Sequence, residues 1–290
     1  MSSKDAPPPL PEPLGVPVAD SHTHLDMQSG TVEEALAKAA AAGVDTVVQV
    51  GCDLKGSRWA ARTAAAYDNV HAAVALHPNE APRIVLGDPG GAGPRQGARE
   101  AGGDAALDEA LAEIDRLAAL PEVKAVGETG LDFFRTGPEG RAAQERSFRA
   151  HIEIAKRHGK ALVIHDREAH DDVLRVLAEE GAPERTVFHC YSGDAAMARV
   201  CAEAGYYMSF AGNVTFKNAQ PLRDALAAAP LDLVLVETDA PFLTPVPYRG
   251  RPNAPYLVPI TVRAMAQVRG IGEEAMSTAI AVNTARAFDY

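Results

Sequence analysis

The sequence predicts a (β/α)8 barrel, eight parallel strands each followed by a helix. Three observations predict it. Strand and helix signals alternate along the chain and give eight strand-then-helix units. The strands are short, rich in β-branched residues and apolar on both faces, as strands of a parallel sheet covered by helices should be. Asp20, His22, His24, His77, Glu128, His165, His189 and Asp239 all stand at or just past the C-terminal ends of those strands. That is the face on which such barrels build their sites. A doubly wound open sheet is the structural alternative, and this placement of polar residues argues against it.

The elements follow in order. The first strand, 18–21, runs into Ser21-His22-Thr23-His24. A helix is expected over 31–42, with Thr31 as N-cap, Glu34 at the capping-box position and Gly43 as the stop. A strand over 45–50 precedes a helix over 54–66, and a strand over 70–76 is closed by His77-Pro78. The stretch 86–104 is Gly-rich and has no period, so it reads as a flexible surface insertion. A helix over 106–120 leads to a strand over 123–127 that ends at Glu128, then to a long amphipathic helix over 139–158 stopped by Gly159. The strand 161–164 ends at His165 and is followed by a helix over 168–180. The strand 186–188 ends at His189 and is followed by a helix over 194–204. A strand over 206–210, a helix over 218–229 and a strand over 231–236 lead into Glu237-Thr238-Asp239. Helices over 256–268 and 272–287 close the chain. The proline-rich residues 1–17 read as a disordered lead-in, and 18–290 as a single domain.

Composition narrows the function classes. Of 290 residues 47% are hydrophobic and 23% charged, ordinary for a globular protein with a large core. No apolar run reaches membrane-spanning length, and the start of the chain lacks the apolar core of a signal peptide. The three cysteines, Cys52, Cys190 and Cys201, have no disulfide-framework spacing. A reducing cytoplasm is therefore the expected compartment, and a monomer the expected state. The net charge of −11 opposes a polyanion. Any attraction to nucleic acid must be local, from metal ions and a few Arg and Lys side chains.

His22 and His24 are two apart on a strand, so their imidazoles point to one side and can serve one ion. With them, His165, His189, Glu128 and Asp239 form the candidate ligand set. Four imidazoles and two carboxylates suit Zn²⁺ or Mn²⁺ better than Ca²⁺. Six donors exceed one tetrahedral site, and two metals sharing Glu128 use them economically. Asp239 can bind one ion and take the proton of an attacking water. Glu237, two residues earlier, is expected to support a ligand from behind. Plainer readings stand beside these. A lone strand-end histidine is usually a loop residue, and Asp239 before Ala240-Pro241 can simply start a turn. His158 suits a helix C-terminus. His71, His151 and His170 read as surface or packing residues, and Cys190 as packing.

Several stretches carry a resemblance together: Asp20-Ser21-His22-Thr23-His24-Leu25-Asp26, Leu76-His77-Pro78, Gly127-Glu128-Thr129-Gly130-Leu131-Asp132, Ile164-His165-Asp166-Arg167, Phe188-His189-Cys190-Tyr191-Ser192-Gly193, Phe210-Ala211-Gly212-Asn213-Val214-Thr215-Phe216-Lys217, Glu237-Thr238-Asp239-Ala240-Pro241-Phe242-Leu243 and Pro245-Val246-Pro247-Tyr248-Arg249-Gly250. In this order, from about Val18 to the C-terminus, they resemble the TatD-family metal-dependent deoxyribonucleases. The resemblance implies a TIM-barrel hydrolase of the amidohydrolase type that cleaves DNA phosphodiesters with two divalent ions (Zn, Mn or Mg). By position, His22 and His24 bind one ion and Asp239 completes that site. Glu128 bridges, and His165 and His189 bind the other ion. Asn79 stands where the family often has a histidine. His77, Arg249, Lys217 and the neutral donor Asn213 are the candidate substrate contacts, with Arg135 a further cation. Tyr191, Phe216 and Tyr248 are candidates to stack on bases. The expected substrate is single-stranded DNA or frayed ends, cleaved as by a 3′-5′ exonuclease. The alternative is a same-fold esterase or amidase, acting for example on an aminoacyl-tRNA ester. Barrels that bridge two ions with a carboxylated lysine are disfavoured, because Lys124 lies at the wrong end of its strand.

Overall fold

The computed structural model describes residues 6–87 and 102–290. Its eight strands are β1 (Val18–Thr23), β2 (Val44–Gly51), β3 (Val70–Val74), β4 (Val123–Asp132), β5 (Ala161–Arg167), β6 (Thr186–Phe188), β7 (Tyr207–Phe210) and β8 (Val234–Val236). They form one sheet in sequence order, β1 to β8, with helices between the strands, and the fold is the (β/α)8 barrel. The helices are α1 (Val32–Ala41), α2 (Leu54–Ala66), α3 (Glu80–Leu86), α4 (Gly103–Ala118), α5 (Pro138–His158), α6 (His170–Glu180), α7 (Ala195–Glu203), α8 (Gln220–Ala228), α9 (Val258–Arg269) and α10 (Glu273–Phe288). Among the described residues, no helix is long and apolar enough to cross a membrane.

The chain packs as two compact units. The first holds residues 6–49, 64–71 and 185–290. In it β1 pairs in parallel with β2, β6 with β7 and β7 with β8. The end of β1 meets the residues after β8: Thr23 bridges Ala240, the His24 N–H donates to the Ala240 carbonyl at 2.9 Å, and the Asp239 N–H donates to the His22 carbonyl at 2.9 Å. Helix α1 starts as expected. Thr31 Oγ1 accepts from the Glu34 N–H at 3.2 Å, and Glu34 Oε2 accepts from the Thr31 N–H at 3.3 Å, meeting two donors that helix geometry leaves open. The proline-rich lead-in is described from Ala6 onward. Prolines have no N–H, so such a segment offers mainly carbonyls. Arg251 donates to those of Ala6 and Pro7 at 2.8 and 2.5 Å, Tyr256 Oη to that of Pro8 at 2.7 Å, and Arg263 to that of Glu12 at 2.9 Å.

The second unit holds residues 50–63, 72–87 and 102–184. Here β3 pairs with β4 and β4 with β5, all parallel. Both β4 and β5 run past the ends expected from the sequence, so that Glu128, Asp132 and His165 lie within strands. Two glycines of β4 are positions of close approach. A Cβ on Gly127 would stand 2.4 Å from the Val163 Cβ, and one on Gly130, whose φ is +135°, would stand 2.2 Å from the His165 carbonyl oxygen. Only glycine fits there, and the result is Glu128 beside His165. Helix α5 covers this sheet with the fully buried Phe148 and Ile152. The aperiodic stretch expected over 86–104 is bounded by α3 and α4, which extend to Leu86 and begin at Gly103. Its interior, 88–101, lies outside the described residues. Helix α3 was not expected. Its short sequence contains Pro82, which the first turn of a helix tolerates.

Candidate metal centre

In the first unit β1, β6 and β8 deliver their polar ends together. His22 and His24 are buried, with ring centroids 5.1 Å apart and nearly perpendicular planes. His189 stacks on His22 at 3.9 Å. Asp239 Oδ1 lies 3.5 Å from His24 Nε2 and 3.8 Å from His22 Nε2. Glu237 stands behind His189: its Oε1 is 3.2 Å from His189 Nδ1 and accepts the Cys190 N–H at 2.9 Å. Asp20 lies beneath, fully buried, and accepts from the Thr238 N–H at 2.9 Å, the Thr238 Oγ1 at 2.5 Å and the His22 N–H at 3.2 Å. It therefore fixes the strand that carries the two histidines to the turn that carries Asp239. Burial pushes its carboxyl up to about 7 even against the hydrogen bonds from Thr238. Cys190 and Asp239 have φ of 42° and 52°. Left-handed backbone at a non-glycine residue costs roughly 1–3 kcal/mol and collects at functional sites.

In the second unit Glu128 is the hub. Its Oε2 lies 3.2 Å from His165 Nδ1, and its Oε1 lies 4.0 Å from His77 Nε2. Cys52, which no ligand spacing marks, donates its thiol to Glu128 Oε1 at 3.2 Å. His165 Nε2 is 3.3 Å from Asp132 Oδ2. Asp132 also accepts from Asn79 Nδ2 at 2.9 Å and from the Arg135 N–H at 2.8 Å. Burial alone would raise the Asp132 carboxyl, but His165, Asn79 and Arg135 together hold it well below the usual carboxylate range. Asn79 is fixed in turn by Thr136 Oγ1 and Gln144 Nε2, which donate to its Oδ1 at 2.9 and 3.3 Å. Its own N–H donates to His77 Nδ1 at 3.0 Å, so a neutral His77 carries its proton on Nε2.

The donor set fits divalent metal ions. The ligand atoms of His22, His189 and Glu237 lie within 4.8 Å of one another, and so do those of His77, Glu128 and His165. Glu237 Oε2 is buried with no hydrogen-bond partner among the described residues. Burial raises the Glu237 carboxyl in spite of His189, and a cation held by the neighbouring imidazoles would favour its charged form.

Of the expected ligands, the first unit holds His22, His24, His189 and Asp239 and the second holds Glu128 and His165. His77 stands beside Glu128. Asn213 is next to the first group, its Nδ2 at 3.9 Å from Cys190 Sγ. Arg249 is exposed and lies over the Phe216 ring at 4.3 Å, and Lys217 is exposed. Arg135 enters through its backbone N–H. Tyr191 is buried and packs near Phe210, as a core side chain. Asp132, Asn79 and Cys52 escaped sequence reasoning because their partners are remote in the chain. Of the three, Asp132 left the clearest signal, closing the Gly-Leu-Asp stretch after Glu128.

Comparison with known proteins identifies the relatives of this chain. The uncharacterised metal-dependent hydrolase TatD of Mycobacterium tuberculosis is 44% identical, over 93% of this chain and 97% of its own. The uncharacterised metal-dependent hydrolase YcfH of Escherichia coli is 36% identical, over 93% and 95%. Among solved structures, the TatD homologue YjjV of Escherichia coli superposes with a TM-score of 0.82 at 26% identity, over 94% of this chain and 98% of that one. The profile of the TatD-related DNase family matches residues 19–289, and the chain belongs to that family of metal-dependent hydrolases.

Proposed function

We propose that this hydrolase is a deoxyribonuclease that cleaves phosphodiester bonds of single-stranded or frayed DNA with two divalent ions, working inward from a 3′ end. The observation that carries the reading is the clustering of imidazoles with carboxylates in a chain of the TatD-related DNase family. His22, His24 and Asp239 would hold one ion, and Glu128 and His165 the other. His189, stacked on His22, would be a further ligand, as the family resemblance implies. Divalent ions held there would supply Lewis-acid stabilisation of the phosphoryl oxygens and activate a water at neutral pH. Asp239 would accept the proton of the attacking water. Glu237 and Asp132 orient His189 and His165 from behind. His77 can donate its Nε2 proton to a non-bridging oxygen, with Arg249, Lys217 and Asn213 as further donors.

The test is hydrolysis of 3′- and 5′-labelled single-stranded oligonucleotides by protein stripped of metal and then given Mg²⁺, Mn²⁺ or Zn²⁺. A metal-dependent ladder from the 3′ end is expected. His165→Ala and Glu128→Ala should each lower the rate by more than about a hundredfold, the upper range for losing even an outer partner of a ligand, with unchanged circular dichroism. Full activity in either variant would remove the two-ion mechanism. Intact DNA with ions shown to be bound would transfer the site to an ester or amide substrate.

A further inference from the structure

The turn after β8 holds an aromatic side chain that neither the ligand set nor the core uses. Phe242 is 52% exposed. Its ring meets the ring of His24 edge-on, with centroids 6.3 Å apart and planes at 71°. The backbone beneath it is fixed on both sides. Its N–H donates to the Asp239 carbonyl at 2.8 Å, and its carbonyl accepts from Asn253 Nδ2 at 2.5 Å. Asn253 is buried, and the same amide reaches the Thr238 carbonyl at 2.9 Å. One side-chain amide thus holds the turn that presents both Asp239 and Phe242. An exposed phenyl ring on a mobile loop would be unremarkable. Here the ring is displayed from an anchored turn, beside an imidazole that faces the reacting centre.

We propose that Phe242 is a stacking platform for a nucleobase of the strand being cleaved, placing the adjoining phosphodiester at His24 and Asp239. The inference rests on the deoxyribonuclease reading and deepens it. Charge supports it: with a net charge of −11, the protein's overall field repels the substrate backbone. Contacts that do not depend on phosphate charge then add affinity that this field does not oppose, and stacking is one that every base can make. An aliphatic or small ester would gain little from such a ring, whereas a nucleotide brings a flat π-face one sugar away from its phosphate.

The experiment compares wild type with Phe242→Ala and Phe242→Trp on three probes: a short single-stranded oligonucleotide, the same strand with abasic residues at its 3′ end, and a phosphorothioate strand carrying 2-aminopurine there. Phe242→Ala should raise KM on the normal strand roughly tenfold, within the range of one lost stack, with kcat little changed. It should leave KM on the abasic strand as in wild type, and it should abolish the quenching of 2-aminopurine that wild type and Phe242→Trp produce on binding. An unchanged KM on the normal strand, an equal loss on the abasic strand, or full quenching by Phe242→Ala would overturn the inference and leave the deoxyribonuclease reading standing. Failure of wild type to cleave or bind any strand would overturn both.

Discussion

Asp132 is placed to orient His165 through its carboxylate. It faces His165 Nε2 at 3.3 Å while Glu128 takes the Nδ1 side at 3.2 Å, so the ring is held from both edges. The carboxylate is in turn fixed by Asn79 Nδ2 and the Arg135 N–H. Such outer partners set the orientation and basicity of a ligand. Asp132→Asn keeps the shape and removes the charge. It should weaken metal binding by about 10- to 100-fold, read by competition with a fluorescent chelator, with little change in the unfolding midpoint of the metal-free protein. Unaltered metal affinity would show that Asp132 serves the strand and not the ligand. Asn79 fits the same account. The histidine common at this position in the resembling family would bring a ring where the structure uses a short amide to join Asp132, Thr136 and Gln144. The strand-end histidines were legible because their periodicity and chemistry are local. Asp132, Asn79 and Cys52 were not, because each acts through a partner that only folding brings near.

At the scale of elements, the sequence revealed the order of strands and helices better than their ends. The polar side chains Glu128 and His165 mark the expected ends of β4 at Gly127 and β5 at Ile164. Gly127 and Gly130 admit the neighbouring strand, and β4 and β5 continue to Asp132 and Arg167. His151 on α5 was read as packing, and it is the joint between this helix and the strands beneath. Its Nε2 accepts the Leu76 N–H at 3.1 Å, and its Nδ1 lies 2.6 Å from the Ser147 carbonyl and 3.1 Å from Thr129 Oγ1. The neutral ring with its proton on Nδ1 satisfies these partners, whereas a second proton on Nε2 would face a donor. Burial therefore lowers its pKa from 6.5 to about 4, with the Ser147 carbonyl opposing. Between these values the unfolded chain binds the proton and the folded chain does not. Stability is complete above pH 6.5 and falls as the pH falls toward 4, by about 3 kcal/mol in all. Urea unfolding of wild type and His151→Gln from pH 7 to 4.5 should show the variant less stable at neutral pH but with a shallower decline. Parallel declines would exclude His151 as the titrating group.

For the whole molecule the main physical tension is between charge and substrate. A chain carrying −11 is proposed to act on a polyanion, with the exposed Arg249 and Lys217 as its proposed phosphate contacts. Arg249 spreads its guanidinium over Phe216 at 4.3 Å, which leaves the planar edge of the guanidinium for a phosphate oxygen, and Lys217 follows in sequence. Two such contacts on a single strand predict a slope of log affinity against log salt of about −1.4, since each neutralised phosphate contributes about −0.7. Screening of the overall repulsion works in the opposite direction and flattens the curve further at low salt. Affinity for a phosphorothioate strand should therefore fall by less than about tenfold between 50 and 200 mM salt. Replacing both cations, Lys217→Gln with Arg249→Gln, should remove most of the dependence and leave the stacking contribution. A slope of about −4 or steeper, the mark of six or more phosphate contacts, would instead require a basic track along the protein. It would move the source of affinity from the metal ions and the aromatic rim to that track.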